Sequence, residues 1–524
     1  MRPPLWPPPL EVSTAEQASL RRIRRAKLFV LLRQHRHPRF GDPFQEALAT
    51  LSKDQPQGHP PVPPAQLALA TLLQAYTGGA DDAVMEATTM DRRWPRVRDG
   101  LDCDTPPFSQ GPLGSLRHRR LAPQRDRRLV ERTGAGAAAR GGVGPRQWRA
   151  AHERSPRWGA GRGEATAKLW GHALRQAVGV SARPPGRERL EVAAAAGAPL
   201  VAGSRLQAAL ALAWAAPRAQ PQALPLGLEA LTAVAHWLPT PGVHGEEPSK
   251  VAASMAVAQQ GRAQDVIPAP AGCCPTRRHG VAEARRLRVE DAARRHGRKS
   301  RRRLVDGDTR HGLRALERGL LGAGGVTPAN APEAHVTDAI ATDLAAPQSP
   351  RKAWHIARAY VARKLVQQRG EALAIVCQAW PGRPGPHLPQ SALHLDGERH
   401  LRRCPGGACR PCEPGGVVPF PAAIWAGCAR RERCTTRPSG RSVRMHPDAA
   451  WLQELRERQQ TPQGRAKLRE RVAVEHALAH IGSWQGRRAR YCGVRKNVCD
   501  LRRYAVIHNL PVLARLPEIA QQAA

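Results

Sequence analysis

The stretch of residues 464–516 constrains the fold most, because it combines helical periodicity with charge on the apolar side. Glu475 falls inside that apolar arc of the predicted helix, so its carboxylate is expected to be buried. Arg471 lies four residues earlier, in position to pair with it. An inward carboxylate followed by a basic run indicates metal-dependent phosphate chemistry. At 100° per residue the arc collects Leu468, Val472, Val474, Leu478, Ala479 and Ile481.

The net charge of +39 and the pI near 11.4 point to a polyanionic partner, with nucleic acid as the leading class. Only nine of the 82 basic residues are Lys, and Arg is accompanied by much Ala, Gly and Pro. GC-rich coding sequences drift towards this profile, so part of the charge reflects mutational bias. The 524 residues suffice for about two to four domains.

The chain is expected in a reducing cytoplasm. Its eleven cysteines are odd in number, and Met1–Leu10 is rich in proline where a signal peptide would be apolar. The longest Ala/Leu-rich stretch, Val192–Ala216, is interrupted by Pro199 and Arg205, which argues against a membrane span.

The N-terminal part divides into a tail and a helical region. Residues 1–41 form a basic, Pro-rich tail with one short amphipathic helix, interpreted equally as a solvated tail or a DNA-binding arm. Residues 60–120 have helical periodicity, although Pro112 and Gly114 weaken the last predicted helix.

Residues 171–299 are predicted to be mainly helical, ending in a basic helix that leads into a strand at Arg303–Val305. This junction holds the densest basic cluster of the chain, which is either a phosphate contact or a solvated turn. Its candidate DNA-binding residues are Arg298, Lys299, Arg301 and Arg302, and a second basic run supplies Arg487, Arg488 and Arg490.

Further strands are predicted before His355–Ile356 and over residues 372–376, and Asp306 is expected to mark a strand end or turn. Together with the helix that carries Glu475, these strands predict a mixed α/β core.

The motifs E-H-A-L-A-H-I, R-R-A-R-Y-x-G and V-I-H-N-L in the C-terminal run resemble the end of DDE-class insertion-sequence transposases. The resemblance implies an α/β fold: an RNase H-like mixed-sheet core with a helical N-terminal domain and a large helical insertion. The implied boundaries are residues 42–140 for the DNA-binding helical domain, 145–170 with 300–380 and 460–516 for the core, and 171–299 and 381–459 for the insertions.

The resembled family uses three carboxylates to hold two Mg²⁺ or Mn²⁺ ions ~4 Å apart. Residue by residue, the first position falls on Glu153, which is one methylene longer than the family's Asp. The second falls on Ala357, in H-I-A-R-A-Y, and alanine binds no metal. The third falls on Glu475, which could instead be part of a structural Arg–Glu pair.

A structural Zn²⁺ site is a second metal hypothesis. Cys409 and Cys412 form a C-x₂-C half-site, and Cys428 and Cys434 follow with looser spacing. Trp425 stands where the family often has another cysteine.

The expected function is therefore that of an insertion-sequence transposase. It would bind double-stranded DNA as a homo-oligomer at the bacterial nucleoid, without a membrane partner, and catalyse metal-dependent strand cleavage and transfer. Loss of the second Asp leaves an alternative from another class, a catalytically dead DNA-binding remnant.

Overall fold

A computed structural model describes most of the chain in segments. The described residues are 3–7, 10–50, 61–98, 106–120, 126–128, 130–131, 133, 148–182, 187–203, 219–238, 248–267, 276–277, 282, 284–300, 302–340, 351–368, 373–381, 385–396 and 401–516. No helix within them is long and apolar enough to cross a membrane.

The described residues up to 120 form helices. Their bounds are α1 Thr14–Arg22, α2 Lys27–Arg39, α3 Asp42–Ala49, α4 Pro64–Thr77, α5 Asp81–Met90, α6 Arg93–Arg98 and α7 Gln110–Arg120. Helix α7 forms despite Pro112, because proline in the first turn removes no intrahelical hydrogen bond.

Helix α2 corrects the interpretation of residues 1–41 as a loosely held tail. Phe29 and Leu32 are fully buried in a core shared with α4 and the C-terminal helix, and Trp6 is nearly buried there too. Burial of each such side chain is worth about 1.5–3 kcal/mol, which holds this segment to the body.

A six-stranded mixed sheet forms the centre of the molecule. Its strands are β1 Trp148–Trp158, β4 Arg295–Ser300, β5 Arg303–Ala315, β6 Leu321–Pro328, β7 Arg351–His355 and β8 Ala374–Val376. The order is β4-β5-β1-β7-β8, and β6 also pairs with β5. The β6-β5-β1 pairs are antiparallel, whereas β1-β7 and β7-β8 are parallel.

Two local predictions near β5 were wrong. Asp306 does not end a strand: β5 continues nine residues further, to Ala315. The basic segment before it is the strand β4 instead of a helix, and the two strands form a tight antiparallel hairpin from Arg295 to Gly307. Pairing with the sheet overrides the helical pattern here.

The segment between β1 and β4 is helical for most of its described part. It contains α8 Thr166–Ser181, α9 Arg189–Ala195, α10 Ala219–Trp237 and α11 Pro248–Asp265, with the short strands β2 Val266–Ile267 and β3 Thr276–Arg277. These helices bury a separate apolar cluster that includes Leu169, Val178 and Val234.

Short elements lie between the later strands of the sheet and after it. They are α12 Val336–Ala339, α13 Arg363–Gln368, β9 His394–Asp396, β10 Leu401–Arg403, β11 Cys409–Pro411, β12 Val417–Pro421, α14 Ala422–Trp425, α15 Arg431–Cys434 and β13 Gly440–Arg444. The chain then ends in α16 Ala449–Gln460, α17 Pro462–Arg469, α18 Val472–Gln485 and α19 Val494–Arg515.

The predicted apolar arc of the C-terminal run is partly wrong. Glu475 is exposed, with 45% of its side-chain surface accessible, and Val472 is also exposed. The buried face of α18 is centred on Val474, Leu478 and Ile481, and Glu475 lies about 100° from that centre. Leu468 and Val472 are out of phase with this face because Ala473 and Val474, at the junction of α17 and α18, bond to carbonyls three residues back. Such tight turns rotate the chain by more than 100° per residue, so one helical wheel does not describe both helices. The buried residues of α18 are Val474, Ala477, Leu478, Ile481 and Gln485.

Candidate active site and buried ionic network

The sheet and α18 bring the three predicted site positions to one region. Glu153 lies in the middle of β1, opposite Gly312 of β5. Ala357 follows β7, which runs parallel to β1. Because Ala151 pairs with His355, Ala357 lies level with Glu153, each being two residues further along its own chain segment.

Helix α18 packs on the same side of β1 through Val474 and Leu478, which bury against Ala151. A Cβ on Gly312 would lie 2.8 Å from a Leu478 methyl group, so glycine permits this close approach of helix and strand. That approach places Glu475 near Glu153.

Arg471 lies between the two carboxylates. Its Nη1 forms an ion pair with Glu153, and its Nη2 lies 3.0 Å from Oε1 of Glu475. The predicted Arg471–Glu475 pair is therefore present, and it has a second carboxylate that sequence reasoning did not include. Arg471 and Glu153 are both partly exposed, with 25% and 14% of their side-chain surfaces accessible.

These residues do not fit a centre of two divalent cations. Ala357 has no ligand atom, and both remaining carboxylates already neutralise one guanidinium. No group of three or more metal-ligating side chains that includes Glu153 or Glu475 occurs among the described residues. The arrangement holds a charged arginine where a metal centre would need free carboxylates.

A buried ionic network, which the sequence analysis missed, lies further along the same face of β1. Arg157 has only 1% of its side chain exposed, and its Nε lies 3.3 Å from Asp308. Its Nη1 lies 3.6 Å from Asp500, and its Nη2 donates to Asn497 at 2.8 Å. Burial raises the pKa of Asp308, an effect that Arg157 opposes.

The network continues into the helices. Asp500 accepts hydrogen bonds from Gln485 at 2.8 Å and from Arg503 at 2.6 Å. Arg310 donates to Gln485 at 2.7 Å and to Ser155 at 3.0 Å, and burial lowers its pKa to about 10. The network thus joins β1, β5, α18 and α19. Its members are spread over the sequence, so no local pattern could have revealed them.

The opposite face of β1 carries an aromatic group around His152. The imidazole is fully buried, lies parallel to the ring of Trp354 with centroids 6.0 Å apart, and lies 4.3 Å from the ring of Tyr360. Neither ring nitrogen has a hydrogen-bond partner, and burial lowers the pKa of His152 to about 3. His152 is therefore neutral and acts as a packing residue.

One cluster within the described residues has the composition of a metal site: Glu164, His172 and Glu290, whose ligand atoms lie within 4.8 Å of one another. His172 Nδ1 lies 2.7 Å from Glu164, and its Nε2 lies 2.9 Å from Glu290. Both ring nitrogens face carboxylates, so the imidazole is clamped between two acids. The clamp joins α8 to the loops after β1 and before β4.

The predicted DNA-binding residues fall into two places. Arg298 and Arg302 are exposed in the β4–β5 hairpin, as the notion of a surface contact requires; Arg301 and the side chain of Lys299 lie outside the described residues. The second set is Arg487, Arg488 and Arg490, all exposed after α18. Arg488 donates to Gly161 and lies over Trp158, 5.9 Å from the ring centroid.

The four cysteines of the predicted zinc site are not brought together. Cys409 is exposed while Cys412 is buried in a small apolar cluster. No metal-ligating group among the described residues contains any of the four cysteines, Cys409, Cys412, Cys428 and Cys434. Cys409 begins the strand β11, and Cys412 directly follows its last residue, Pro411, so zinc binding by these cysteines stays a prediction.

Comparison with known proteins gave one match. Residues 416–514, about a fifth of the 524, match the family model described as a transposase DDE domain. No curated protein and no solved structure matches the chain significantly. The matched part contains α18 and α19, and therefore Arg471, Glu475 and the helical half of the buried network.

Proposed function

We propose that this protein binds DNA at insertion-sequence ends without cleaving it. The match of residues 416–514 to a transposase DDE domain supports membership of the DDE-class transposases. The observation that carries the proposal is Arg471 between Glu153 and Glu475, beside Ala357. A transposase centre needs carboxylates that neutralise cations, and here they neutralise an arginine.

The strand order supports an RNase H-like core, as the family resemblance implies. Three antiparallel strands, β6-β5-β1, are followed by two parallel ones, β7 and β8. The helices before β1 are proposed as the DNA-gripping domain. The net charge of +39 favours a DNA partner, and assembly of several copies on DNA and a place at the bacterial nucleoid belong to the same proposal.

The test is a paired binding and cleavage assay on duplexes that carry the flanking element's ends. We expect end-specific binding, tighter than binding to random duplex by about 10³-fold or more, and no cleavage with Mg²⁺ or Mn²⁺. Glu475→Gln should behave as the unchanged protein does. Cleavage that Glu475→Gln abolishes would overturn the proposal and establish a working metal centre.

A restoration experiment tests why cleavage is absent. Ala357→Asp, alone or with Glu153→Asp, supplies the missing carboxylate beside Glu153 and Glu475. Recovery of Mn²⁺-dependent nicking would attribute the loss to the site alone. The matched control is Ala359→Asp, two residues further on, where an added carboxylate should restore nothing.

The second candidate is the active transposase. It is favoured by the retention of Glu475 on α18 beside β1, and the same cleavage assay decides between the two.

A further inference from the structure

A polar cleft of about 480 Å³ lies between the N-terminal helices and α19. Its volume is within the range of about 300–1,000 Å³ that ligand sites occupy in proteins. The lining comes from α4, α5, α7, the turn before α5, the link after α18, and α19. The charged and aromatic lining residues are Asp81, Arg117, His118, Arg490, Tyr491, Lys496, Asp500 and Arg503.

The cleft carries an excess of positive charge. Four cationic side chains face two carboxylates, and both carboxylates are already paired. Asp81 is bonded by both ends of the Arg117 guanidinium, which lowers its pKa, and Asp500 belongs to the buried network. The exposed cations Arg490 and Lys496 are left without a carboxylate among the described residues.

The donors are held in place by the protein. Arg490 gives one N–H to the carbonyl of Gly78 at 2.9 Å, so four of its five donors stay available. Gly78 has φ +82°, and a Cβ there would lie 3.3 Å from the Arg490 guanidinium. Glycine at this turn therefore permits the close approach of the arginine. Arg503 is 95% buried at the floor, and its Nε has no partner.

We propose that this cleft binds the phosphate backbone of a DNA strand, with Arg490 and Lys496 contacting phosphate oxygens and Tyr491 beside the sugar or base. The inference rests on the proposed DNA-binding function and identifies a place for it. A fixed arginine loses little conformational entropy on binding a phosphate, and its planar fork matches two oxygens. Because phosphate contacts carry no sequence information, the cleft binds any duplex.

The test measures binding to a random-sequence duplex across a salt series, using the full chain. Each phosphate contact contributes about 0.9 to the slope of log K against log salt. Lys496→Gln should lower the slope by about 1, and Lys496→Gln with Arg490→Gln by about 2. Lys496→Arg should restore it. The matched control is Lys168→Gln, which removes an exposed lysine of α8 outside the cleft and should leave the slope unchanged.

A lysine-acetylation footprint gives a second readout that needs no variant. Bound duplex should protect Lys496 from acetylation at least several-fold while Lys168 stays reactive. Two results together would overturn the proposed DNA contact in the cleft and leave the proposed function standing: DNA binding with the same salt slope in Lys496→Gln, and a Lys496 that bound duplex does not protect. Absence of any DNA binding would overturn both.

Discussion

Two arginines of this protein each lie between two carboxylates, and they differ in burial. Arg157 has 1% of its side chain exposed and lies between Asp308 and Asp500. Arg471 has 25% exposed and lies between Glu153 and Glu475, the second of which is open to solvent. Both lie on the side of β1 that α18 covers.

Because of this difference in burial, the ion pairs of Arg157 should contribute much to stability and those of Arg471 little. A charge in the interior has no water to replace a lost partner, so removal of one partner costs several kcal/mol. A charge at the surface is rehydrated, and the median worth of such a pair is about 0–1 kcal/mol. The interior group therefore fixes the fold, whereas the exposed group can be altered with little loss of stability.

Arg157→Leu should have the largest effect. It leaves Asp308 buried without its guanidinium, so the free energy of unfolding should fall by about 3–5 kcal/mol. Urea denaturation followed by circular dichroism measures it. Arg149→Leu is the control, since Arg149 lies on the same strand, has 39% of its side chain exposed and pairs with Glu317 and Glu470, which are 31% and 35% exposed. Equal losses for the two variants would contradict the assignment of the network.

His152→Phe tests what the interior does to a titratable group without a partner. The pKa of His152 is lowered to about 3 in the folded state against about 6.5 when unfolded, so the unfolded state binds the proton first. Stability is therefore fully present above pH 6.5 and is lost as the pH falls towards 3, by roughly 1.4 kcal/mol per unit.

The phenylalanine variant keeps the packing of this ring and removes the titration. The difference in unfolding free energy between the two proteins should shift in its favour by roughly 3 kcal/mol between pH 6.5 and pH 4. Buried histidines away from His152 contribute equally to both proteins and cancel, whereas His311, whose lowered pKa depends in part on His152, adds a smaller change to the same difference. A constant difference across this range would show that His152 is not buried as a neutral group.

Gly312→Ala tests how closely α18 must approach the sheet to hold Glu475 in place. The new methyl group would meet Leu478 at 2.8 Å, and overpacking of this kind costs about 1–3 kcal/mol. Gly322→Ala is the control, because nothing lies within 4 Å of a Cβ there on the neighbouring strand. If thermal unfolding shows a larger loss of stability for Gly322→Ala than for Gly312→Ala, this packing of α18 on the sheet is refuted.

Arg471→Leu should have the smallest effect on stability, below about 1 kcal/mol. Arg458→Leu, which breaks another exposed i, i+4 pair with Glu454, provides the reference for a pair of ordinary worth. A loss of 3 kcal/mol or more for Arg471→Leu in the same denaturation assay would remove the contrast between the two arginines.

Much of the local structure followed from the sequence. The strand that begins at Arg303, the strand before Ile356 and the C-terminal helices were predicted, because each depends on residues close in the chain. The Arg471–Glu475 pair was predicted for the same reason. The exposure of Glu475 was not, since the face of α18 that packs on the sheet is centred on Val474, Leu478 and Ile481, about 100° from Glu475.

The DDE-class assignment also came from sequence motifs and agrees with the match over residues 416–514. The motifs that carry it lie in α18, in α19 and in the link between them, so this part of the family's pattern is local in sequence. The zinc interpretation of the cysteines stays a prediction, because C-x₂-C spacing alone does not say whether four thiols converge on one point.

The sequence by itself determined the charge, the helical runs and the identity of the residue at each site position, including the alanine that cannot bind a metal. Only the tertiary structure decided which charges meet. Arg157 joins Asp308 across 151 residues of chain and Asn497 across 340, and Glu153 meets Arg471 from another part of the fold. Such contacts depend on strand register and helix packing, which no short stretch of sequence encodes.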